Sequence, residues 1–242
     1  MSWLYEHQHK RYDDFRGYLM NEADFVEKLQ RFYENKNKLT LREVNFSYGR
    51  PDLVILDVDR DKFKLREKRE QFSTLLNRKF FEVLSIMPDI DDRSATPIGL
   101  REISERSGIS QSYVRSSILS ELKSGGFVKQ IDGGYVKVNG WVPIAKTVTA
   151  IEAKLSDWKR GIWQANRYSN VADKVYLAMP PEYIHRVDID ECKRKGVGLI
   201  SFDPLTSKHK VLVKPSKQVP QDRPVRNYVT ELFLDEHALL RG

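Results

Sequence analysis

Two stretches of sequence decide the fold of this chain: Arg50-Pro51-Asp52-Leu53-Val54-Ile55 and Ala150-Ile151-Glu152-Ala153-Lys154-Leu155. Each contains an apolar run of the length that is typical of a buried strand. Pro51 has no N–H to give to a sheet ladder, so the first strand is predicted to begin at or after it. Because side chains alternate along a strand, Glu152 and Lys154 are expected to project from the same face.

Alternating strands and helices surround these two stretches. Strands are predicted at 39–48, 52–57, 147–155, 174–179, 197–202 and 210–213. Helices are predicted at 21–36, 156–172, 181–195 and 228–240. These assignments follow the spacing of the apolar residues, which is near 2 in the strands and near 3.6 in the helices. With the residues between the two stretches set aside, the order is αβββαβ, which indicates one mixed α/β core with a mixed sheet.

The residues between the two stretches have a different character. Helices are predicted at 66–87, 99–107 and 110–125. Two short strands then flank Asp132-Gly133-Gly134, which is a strong hairpin-turn signal. A helix, a helix-turn-helix and a hairpin in this order are typical of a winged helix-turn-helix. We therefore expect an inserted winged-helix domain at 61–146, within a discontinuous core made of 1–60 and 147–242.

The charge balance favours a polyanionic partner. The net charge is +7 and the isoelectric point is near 9.3, and lysine and arginine displace the counterions of phosphate. In a helix-turn-helix, the start of the second helix reads base edges in the major groove of double-stranded DNA. The candidates are Gln111, Ser112, Tyr113 and Arg115 for this contact, and Lys129 and Lys137 for phosphates near the hairpin. The alternative is that the insert contacts another protein.

Composition excludes several other classes of protein. Apolar residues make up 40% and charged residues 31% of the chain, which is the balance of a globular protein. No apolar stretch is long enough to span a bilayer, and the first residues lack the layout of a signal peptide. The one cysteine, Cys192, cannot form an internal disulfide. We therefore expect a cytoplasmic protein with no membrane partner.

The polar side chains of the two deciding stretches suggest a chemistry. Asp52 and Glu152 would supply carboxylate oxygens, which are the ligands that Mg²⁺ and Mn²⁺ prefer. Such an ion can polarise a phosphate and lower the pKa of an attacking water, and Lys154 could stabilise the developing charge. The alternatives are a surface ion pair between Glu152 and Lys154, and a simple turn role for Asp52.

These two motifs, on this order of elements, resemble the PD-(D/E)xK nuclease superfamily. The resemblance implies a restriction-endonuclease-like core and a Mg²⁺-dependent or Mn²⁺-dependent endodeoxyribonuclease activity. It implies that Asp52, Glu152 and the carbonyl of Ala153 bind the metal and that Lys154 assists the attacking water. Such nucleases often dimerise to cut both strands, so a homodimer is one expected assembly. The long interval between Asp52 and Glu152 departs from the usual short hairpin and requires strands that pair across the insert.

Two further segments carry the resemblance. Glu22-Ala23-Asp24-Phe25-Val26-Glu27-Lys28-Leu29 resembles the first helix of archaeal Holliday-junction resolvases, which opens with a catalytic glutamate. Glu22 is therefore the expected extra acid and Glu27 the alternative, although the helix dipole alone favours an acid at this position. Gln164-Ala165-Asn166-Arg167-Tyr168 resembles the Q-x-x-x-Y motif of RecB-type nucleases. Gln164 and Tyr168 lie one helical turn apart and share a face, as orienting groups or as partly buried helix residues.

The expected function is thus a Mg²⁺-dependent DNA endonuclease whose insert positions the duplex. One alternative is a nuclease-fold protein that binds DNA without cutting it, as a regulator or assembly factor. Another is a subunit that recruits other proteins through its insert. The form of the nucleic acid and the biological pathway stay open at the level of the sequence.

Overall fold

The computed structural model describes residues 20–94, 96–138 and 142–239. The strands are β1 (Leu39–Arg42), β2 (Leu53–Val58), β3 (Val128–Ile131), β4 (Gly134–Lys137), β5 (Ala145–Ala153), β6 (Lys174–Met179), β7 (Gly198–Asp203) and β8 (Lys208–Val213). The first helices are α1 (Glu22–Glu34), α2 (Arg60–Lys68), α3 (Arg78–Ile86) and α4 (Leu100–Ser107). Next comes α5, which runs as Gln111–Tyr113, a π-helical segment Val114–Ile118, and Leu119–Ser124. The last are α6 (Trp158–Arg167), α7 (Ile189–Arg194) and α8 (Arg223–Glu236).

Six of these strands form one mixed sheet, in the order β1-β2-β5-β6-β7-β8. The pairs β5–β6 and β6–β7 are parallel, and the other three pairs of neighbouring strands are antiparallel. The prediction of a mixed α/β fold with a mixed sheet is confirmed. Strand β2 pairs with β5 although the insert separates them in sequence, and Leu53 lies opposite Ile151. The N–H of Asp59 donates to the carbonyl of Ile144 at 2.8 Å and closes the base of the excursion.

The sheet carries helices on both faces because its central strands are apolar on both sides. One face of β2 and β5 presents Val54, Leu56, Val148 and Ala150, which share a core with residues of α6, α7 and α8. The other face presents Leu53, Ile55, Ile151 and Ala153, which pack with Phe25, Val26 and Leu29 of α1. The result is a three-layered arrangement in which α1 alone, among the described helices, covers the second face.

Helices α3, α4 and α5 share a separate core with the β3–β4 hairpin. Its buried members include Phe80, Phe81, Ile103, Val114, Ile118, Leu122, Phe127 and Val128. The predicted turn is present, since Ile131 pairs with Gly134 across Asp132 and Gly133. Tyr228 of α8 packs against this core, so the C-terminal helix contacts both the sheet and the inserted segment.

Four of the predicted elements are wrong in extent. The helix predicted at 228–240 is α8, which already begins at Arg223 and ends at Glu236. The helix predicted at 66–87 breaks after Lys68, because Glu70 adopts a left-handed φ of 56°, and resumes at Arg78 with Asn77 as its cap. The strand predicted at 39–48 ends at Arg42, where Glu43 takes a φ of 52°. The helix predicted at 181–195 is a 3-10 turn, Pro181–Arg186, followed by α7, whose start Asp188 caps. No helix in the described part of the chain is both long and apolar enough to cross a membrane.

A buried ion pair joins the inserted segment to the core. Arg66 of α2 and Glu231 of α8 are both fully buried and form a two-pronged contact, with one N···O distance of 2.9 Å. The guanidinium also donates to the carbonyls of Gln71 and Ser73, and the N–H of Leu75 donates to the Glu231 carboxylate at 2.9 Å. A buried charge is tolerated only when its partners replace the lost water, and these contacts meet that condition.

Replacing Glu231 by Ala should therefore destabilise the protein strongly. The buried Arg66 charge would lose its carboxylate, which costs about 3–5 kcal/mol. Denaturant unfolding measures this change. Glu105→Ala is the matched control, because it breaks the exposed pair with Arg101 on α4, and exposed pairs contribute about 0–1 kcal/mol. Equal losses in the two variants would contradict the role of the buried pair.

Candidate active site

The register between β2 and β5 brings the first two predicted site residues together. Because Leu53 lies opposite Ile151, continuation of the ladder by one residue puts Asp52 beside Glu152 on the same face. The Oδ2 atom of Asp52 accepts a hydrogen bond from the N–H of Ala153 at 2.7 Å. Asp52 therefore extends the strand pairing with its side chain, and its carboxylate is fixed to β5.

Glu152 is buried, with 1% of its surface exposed, and both of its oxygens have partners. Its Oε1 lies 2.8 Å from the Nζ of Lys154, two residues further along the same strand. Its Oε2 accepts a hydrogen bond from the hydroxyl of Tyr168 at 2.7 Å. These two donors replace hydrogen bonds to water that the buried carboxylate has lost.

Lys154 links Glu152 to the start of α1. Its Nζ lies 3.3 Å from Oε2 of Glu22, and Oε1 of the same glutamate accepts the N–H of Leu155 at 3.4 Å. The side chain of Glu22 is about half exposed, whereas that of Lys154 is nearly buried. Glu27 instead pairs with Arg31 on the exposed surface of α1. The geometry therefore brings Glu22, and not Glu27, to the lysine.

The start of α1 is fixed by its cap. The side chain of Asn21 accepts the N–H of Asp24 at 2.9 Å, and the Asp24 carboxylate accepts the N–H of Asn21 in return. This capping box sets the first turn of the helix, and Glu22 is its first residue. Local sequence thus determines where the glutamate is held, and the sheet determines what it meets.

Tyr168 supports the loop that carries Asp52. Besides Glu152, its hydroxyl lies 3.0 Å from the carbonyl of Arg50, and its ring meets Phe46 at 6.0 Å between centroids. Gly49 adopts a φ of 139°, and a Cβ there would lie 2.9 Å from the Tyr168 ring. Glycine is therefore required in this loop both for its backbone conformation and for the close approach of the tyrosine.

Gly161 is a second glycine that the sequence analysis did not select. It lies inside α6, and a Cβ there would come within 2.5 Å of Leu177 and 3.0 Å of Cγ of Lys154. The stem of the lysine thus packs directly on the helix backbone. A glycine inside a predicted helix costs about 1 kcal/mol relative to alanine, and this unfavourable residue was the signal available in the sequence.

Burial and the neighbouring charges shift the pKa values of Asp52 and Lys154. Burial raises the pKa of Asp52 to about 6, and the nearby charge of Glu152 adds to this effect. Burial alone would lower the pKa of Lys154, but the hydrogen bond and charge of Glu152, with the charges of Asp52 and Glu22, raise it overall. The lysine is therefore an ammonium at neutral pH and acts as a hydrogen-bond donor and a positive charge.

Gln164 is set apart from this network. Its Oε1 is buried and has no hydrogen-bond partner among the described residues. A buried amide oxygen in that condition costs about 1–3 kcal/mol unless a water molecule or a ligand reaches it. Of the two residues in the Q-x-x-x-Y motif, the structure joins Tyr168 to the carboxylates and leaves Gln164 without that link.

The oxygen-rich site is compatible with a divalent cation. Asp52 lies close enough to Glu152 that the charge of Glu152 raises the pKa of Asp52, and a hard cation between oxygens relieves such repulsion. In the part of the chain that the structure describes, no three Asp, Glu, His or Cys side chains form a ready-made metal site. A set of two carboxylates and the Ala153 carbonyl, which the resemblance implies, needs no third side chain.

The predicted DNA-binding residues divide into two groups. Gln111, Ser112 and Arg115 are exposed at the start of α5. Tyr113 is half-buried, accepts a hydrogen bond from Asn77 at 3.1 Å and lies under the ammonium of Lys79, so it packs within the inserted segment.

The two hairpin lysines project from opposite faces. Lys129 pairs with Val136, and Lys137 pairs with Val128, so the neighbouring positions alternate between the faces. Lys137 is also half-buried, with its backbone bonded to Pro88 and Ile90. One flat surface of the hairpin therefore does not present both lysines.

Comparisons with known proteins add little to this geometry. No family model and no curated protein matches the chain. A solved structure of a Silicibacter pomeroyi protein of unknown function is similar over 39% of this chain, with 20% sequence identity and a TM-score of 0.28. The chain spans 60% of the length of that protein.

The raised pKa of Asp52 predicts a pH-dependent loss of stability. Between about pH 4 and 6 the unfolded chain has released the Asp52 proton while the folded protein still holds it, so the free energy of unfolding falls as pH rises. Relative to Asp52→Asn, which stays neutral, the wild type should lose up to about 3 kcal/mol across this window. Unfolding curves at several pH values measure the difference. Asp57→Asn, on the same strand, is the control, and curves that run parallel for wild type and Asp52→Asn would contradict the prediction.

Gly161→Ala should displace Lys154 and destabilise the protein. Alanine in a helix interior ordinarily stabilises by about 1 kcal/mol relative to glycine, but here its Cβ would collide with Leu177 and the lysine stem. We expect a lower unfolding midpoint than in the wild type. Gly99→Ala is the control, since nothing lies within 4 Å of a Cβ there. A midpoint equal to or above that of the wild type would mean that the helix accommodates the methyl group.

Proposed function

We propose that this chain is a metal-dependent DNA endonuclease of the PD-(D/E)xK type, whose insert is a winged-helix domain that positions the DNA. The supporting observation is the convergence of Glu22, Asp52, Glu152 and Lys154 from three separate segments of the chain. Glu22 is the first residue of α1, and Asp52 directly precedes β2. Glu152 is the next-to-last residue of β5, and Lys154 follows the end of that strand. A surface ion pair would not draw in a third segment and a buried tyrosine.

Each residue has a part that follows from its surroundings. Asp52, Glu152 and the Ala153 carbonyl would hold Mg²⁺ or Mn²⁺, which supplies polarisation of the phosphate and a lower pKa for an attacking water. Lys154 is an ammonium and stabilises the negative charge that grows on the phosphate. Glu22, with its half-exposed carboxylate, is the acid that can accept a proton from the solvent side. Tyr168 orients Glu152 and holds the loop before Asp52.

The exposed start of α5 supports DNA positioning by the insert. A winged-helix domain places the N-terminal part of this helix in a major groove. In α5 that part exposes the hydrogen-bonding groups of Gln111, Ser112 and Arg115. The joint through Arg66 and Glu231 ties the insert to α8 and hence to the core. A duplex held by the insert would keep a fixed relation to the carboxylates.

A second candidate is a protein of the same fold that binds DNA without cutting it. The observation that favours it is the self-sufficiency of the cluster, since Lys154 binds two glutamates and Asp52 is satisfied by a backbone N–H. The two candidates differ in a single measurable respect, which is metal-dependent cleavage.

The purified protein should cut DNA in the presence of Mg²⁺ or Mn²⁺. Lys154→Met and Asp52→Asn should each lower the rate by about a hundredfold or more, because the first removes the positive charge beside the reacting phosphate and the second removes a carboxylate that would hold the metal ion. Gel analysis of labelled DNA measures the rate. Lys146→Ala, an exposed lysine on the same strand, is the matched control and should cut normally.

The outcomes separate the two candidates. Cleavage that is equal in wild type and both site variants would point to a contaminant or to another site. Salt-dependent DNA binding that Asp52→Asn leaves intact, without cleavage under either metal, would favour the protein that binds without cutting.

A further inference from the structure

Helix α6 has an outward surface that the proposed chemistry does not use. Its inner side carries Gly161, Ala165 and the following Tyr168, which face the sheet and the site. On the outside, Trp163 is 60% exposed, whereas tryptophan side chains are on average largely buried. We propose that this surface, with the cleft beside it, binds an unpaired nucleobase of a DNA strand close to the cleaved phosphate. The proposal rests on the nuclease function proposed above.

The first observation is the composition of the exposed stripe. Arg160, Trp163 and Arg167 recur at helical spacing, and all three are exposed. The Arg167 guanidinium lies 4.8 Å from the centre of the Trp163 ring. None of the ten residues of α6 is acidic. An exposed aromatic ring between cations is the combination that stacks a base and holds its phosphates.

The second observation is a cleft of about 420 Å³ between α6 and α7. Trp158, Ile162 and Trp163 line it with apolar and aromatic surface, and Asn166 adds an amide that can both donate and accept hydrogen bonds. The volume lies within the range of sites that take a planar ligand of the size of a base. Flat apolar walls with one amide suit a nucleobase better than a sugar or a phosphate.

The charges that line the cleft are balanced. Asp188 and Glu191 lie on the α7 side, where both pair with Arg194, and Lys159 and Lys195 also line the cleft. A balanced lining attracts phosphate less than the stripe of α6, which carries Arg160 and Arg167 and no acid. The base would therefore enter the cleft, and its phosphates would stay on the basic stripe of α6.

The position of the cleft relates it to the site. Gly161 on the opposite side of α6 approaches the stem of Lys154, and a helix with its side chains is only about 10–12 Å across. A strand that passes over α6 would bring a base to Trp163 within a few nucleotides of the phosphate near Lys154. The substrate class that follows is DNA in which a duplex meets an unpaired strand, with the duplex on the insert.

Binding without metal tests this proposal separately from cleavage. The full chain, with the divalent ions removed by a chelator, is titrated with a duplex that bears a single-stranded overhang and with the fully paired duplex of the same sequence. Fluorescence anisotropy gives the two affinities. A 2-aminopurine in the overhang reports stacking through the quenching of its fluorescence.

We expect the wild type to prefer the overhang and to quench the 2-aminopurine. Trp163→Ala should weaken binding of the overhang by about tenfold or more, leave the paired duplex unaffected and abolish the quenching. Trp163→Phe should retain most of the preference, because a smaller ring still stacks. Phe72→Ala is the control, as it removes an aromatic side chain that is 50% exposed on the inserted segment, and it should change neither affinity.

Three results would overturn the proposal. The first is equal affinity of wild type and Trp163→Ala for the overhang, with both variants folded by circular dichroism. The second is an overhang preference that survives in Trp163→Ala. The third is a wild-type dimer that becomes a monomer in Trp163→Ala without a change in DNA preference, which would make the surface an interface between copies of the chain. If the wild type quenches the 2-aminopurine but cuts no DNA when Mg²⁺ or Mn²⁺ is added, the result would count against the nuclease function alone.

Discussion

The antiparallel pairing of β2 with β5 is the constraint on which the rest of the structure depends. It joins residues on the two sides of a long excursion and fixes them in register, with Leu53 opposite Ile151. A slip by one residue would turn every side chain to the other face, and Asp52 would no longer lie beside Glu152. The long insert does not disturb this pairing, because its two ends meet at the Asp59–Ile144 hydrogen bond. A folded segment with adjacent ends adds little loop-closure entropy.

Burial of charge at the end of this strand pair determines the neighbouring packing. Glu152 and Lys154 lie almost out of contact with water, so each needs partners at hydrogen-bond distance. The stem of Lys154 packs against the backbone of α6, where a side chain at Gly161 would collide with it. The ring of Tyr168 packs against the loop before β2, where a side chain at Gly49 would collide with it. The two glycines and the polar cluster are therefore one structural requirement.

Local patterns in the sequence were sufficient where one element decides the answer. Strand alternation predicted that Glu152 and Lys154 share a face, and their contact agrees with this. The spacing of Gln164 and Tyr168 predicted one helix, but Tyr168 begins the 3-10 turn that follows α6. The patterns failed where contacts between residues distant in sequence determine the structure. The helix predicted at 66–87 is an example: Glu70 interrupts it with a left-handed backbone conformation, and Arg66, before the break, pairs with Glu231 of α8. Trp163 was not predicted although its helical spacing from Arg160 and Arg167 is visible in the sequence, because the sequence alone does not show whether an aromatic side chain of a helix is buried or exposed.

The charge at the candidate site sets a condition for any phosphate that approaches it. Three carboxylates, from Glu22, Asp52 and Glu152, lie near the ammonium of Lys154, and burial together with the charge of Glu152 raises the pKa of Asp52. A phosphodiester adds another negative charge, so on the proposed function a cation must first compensate the carboxylates. On the same proposal, Arg160 and Arg167 of α6 and Arg115 of the insert would draw DNA toward the molecule, but they would not neutralise the buried pair. Attraction and chemistry thus depend on different groups, and each can be removed without the other.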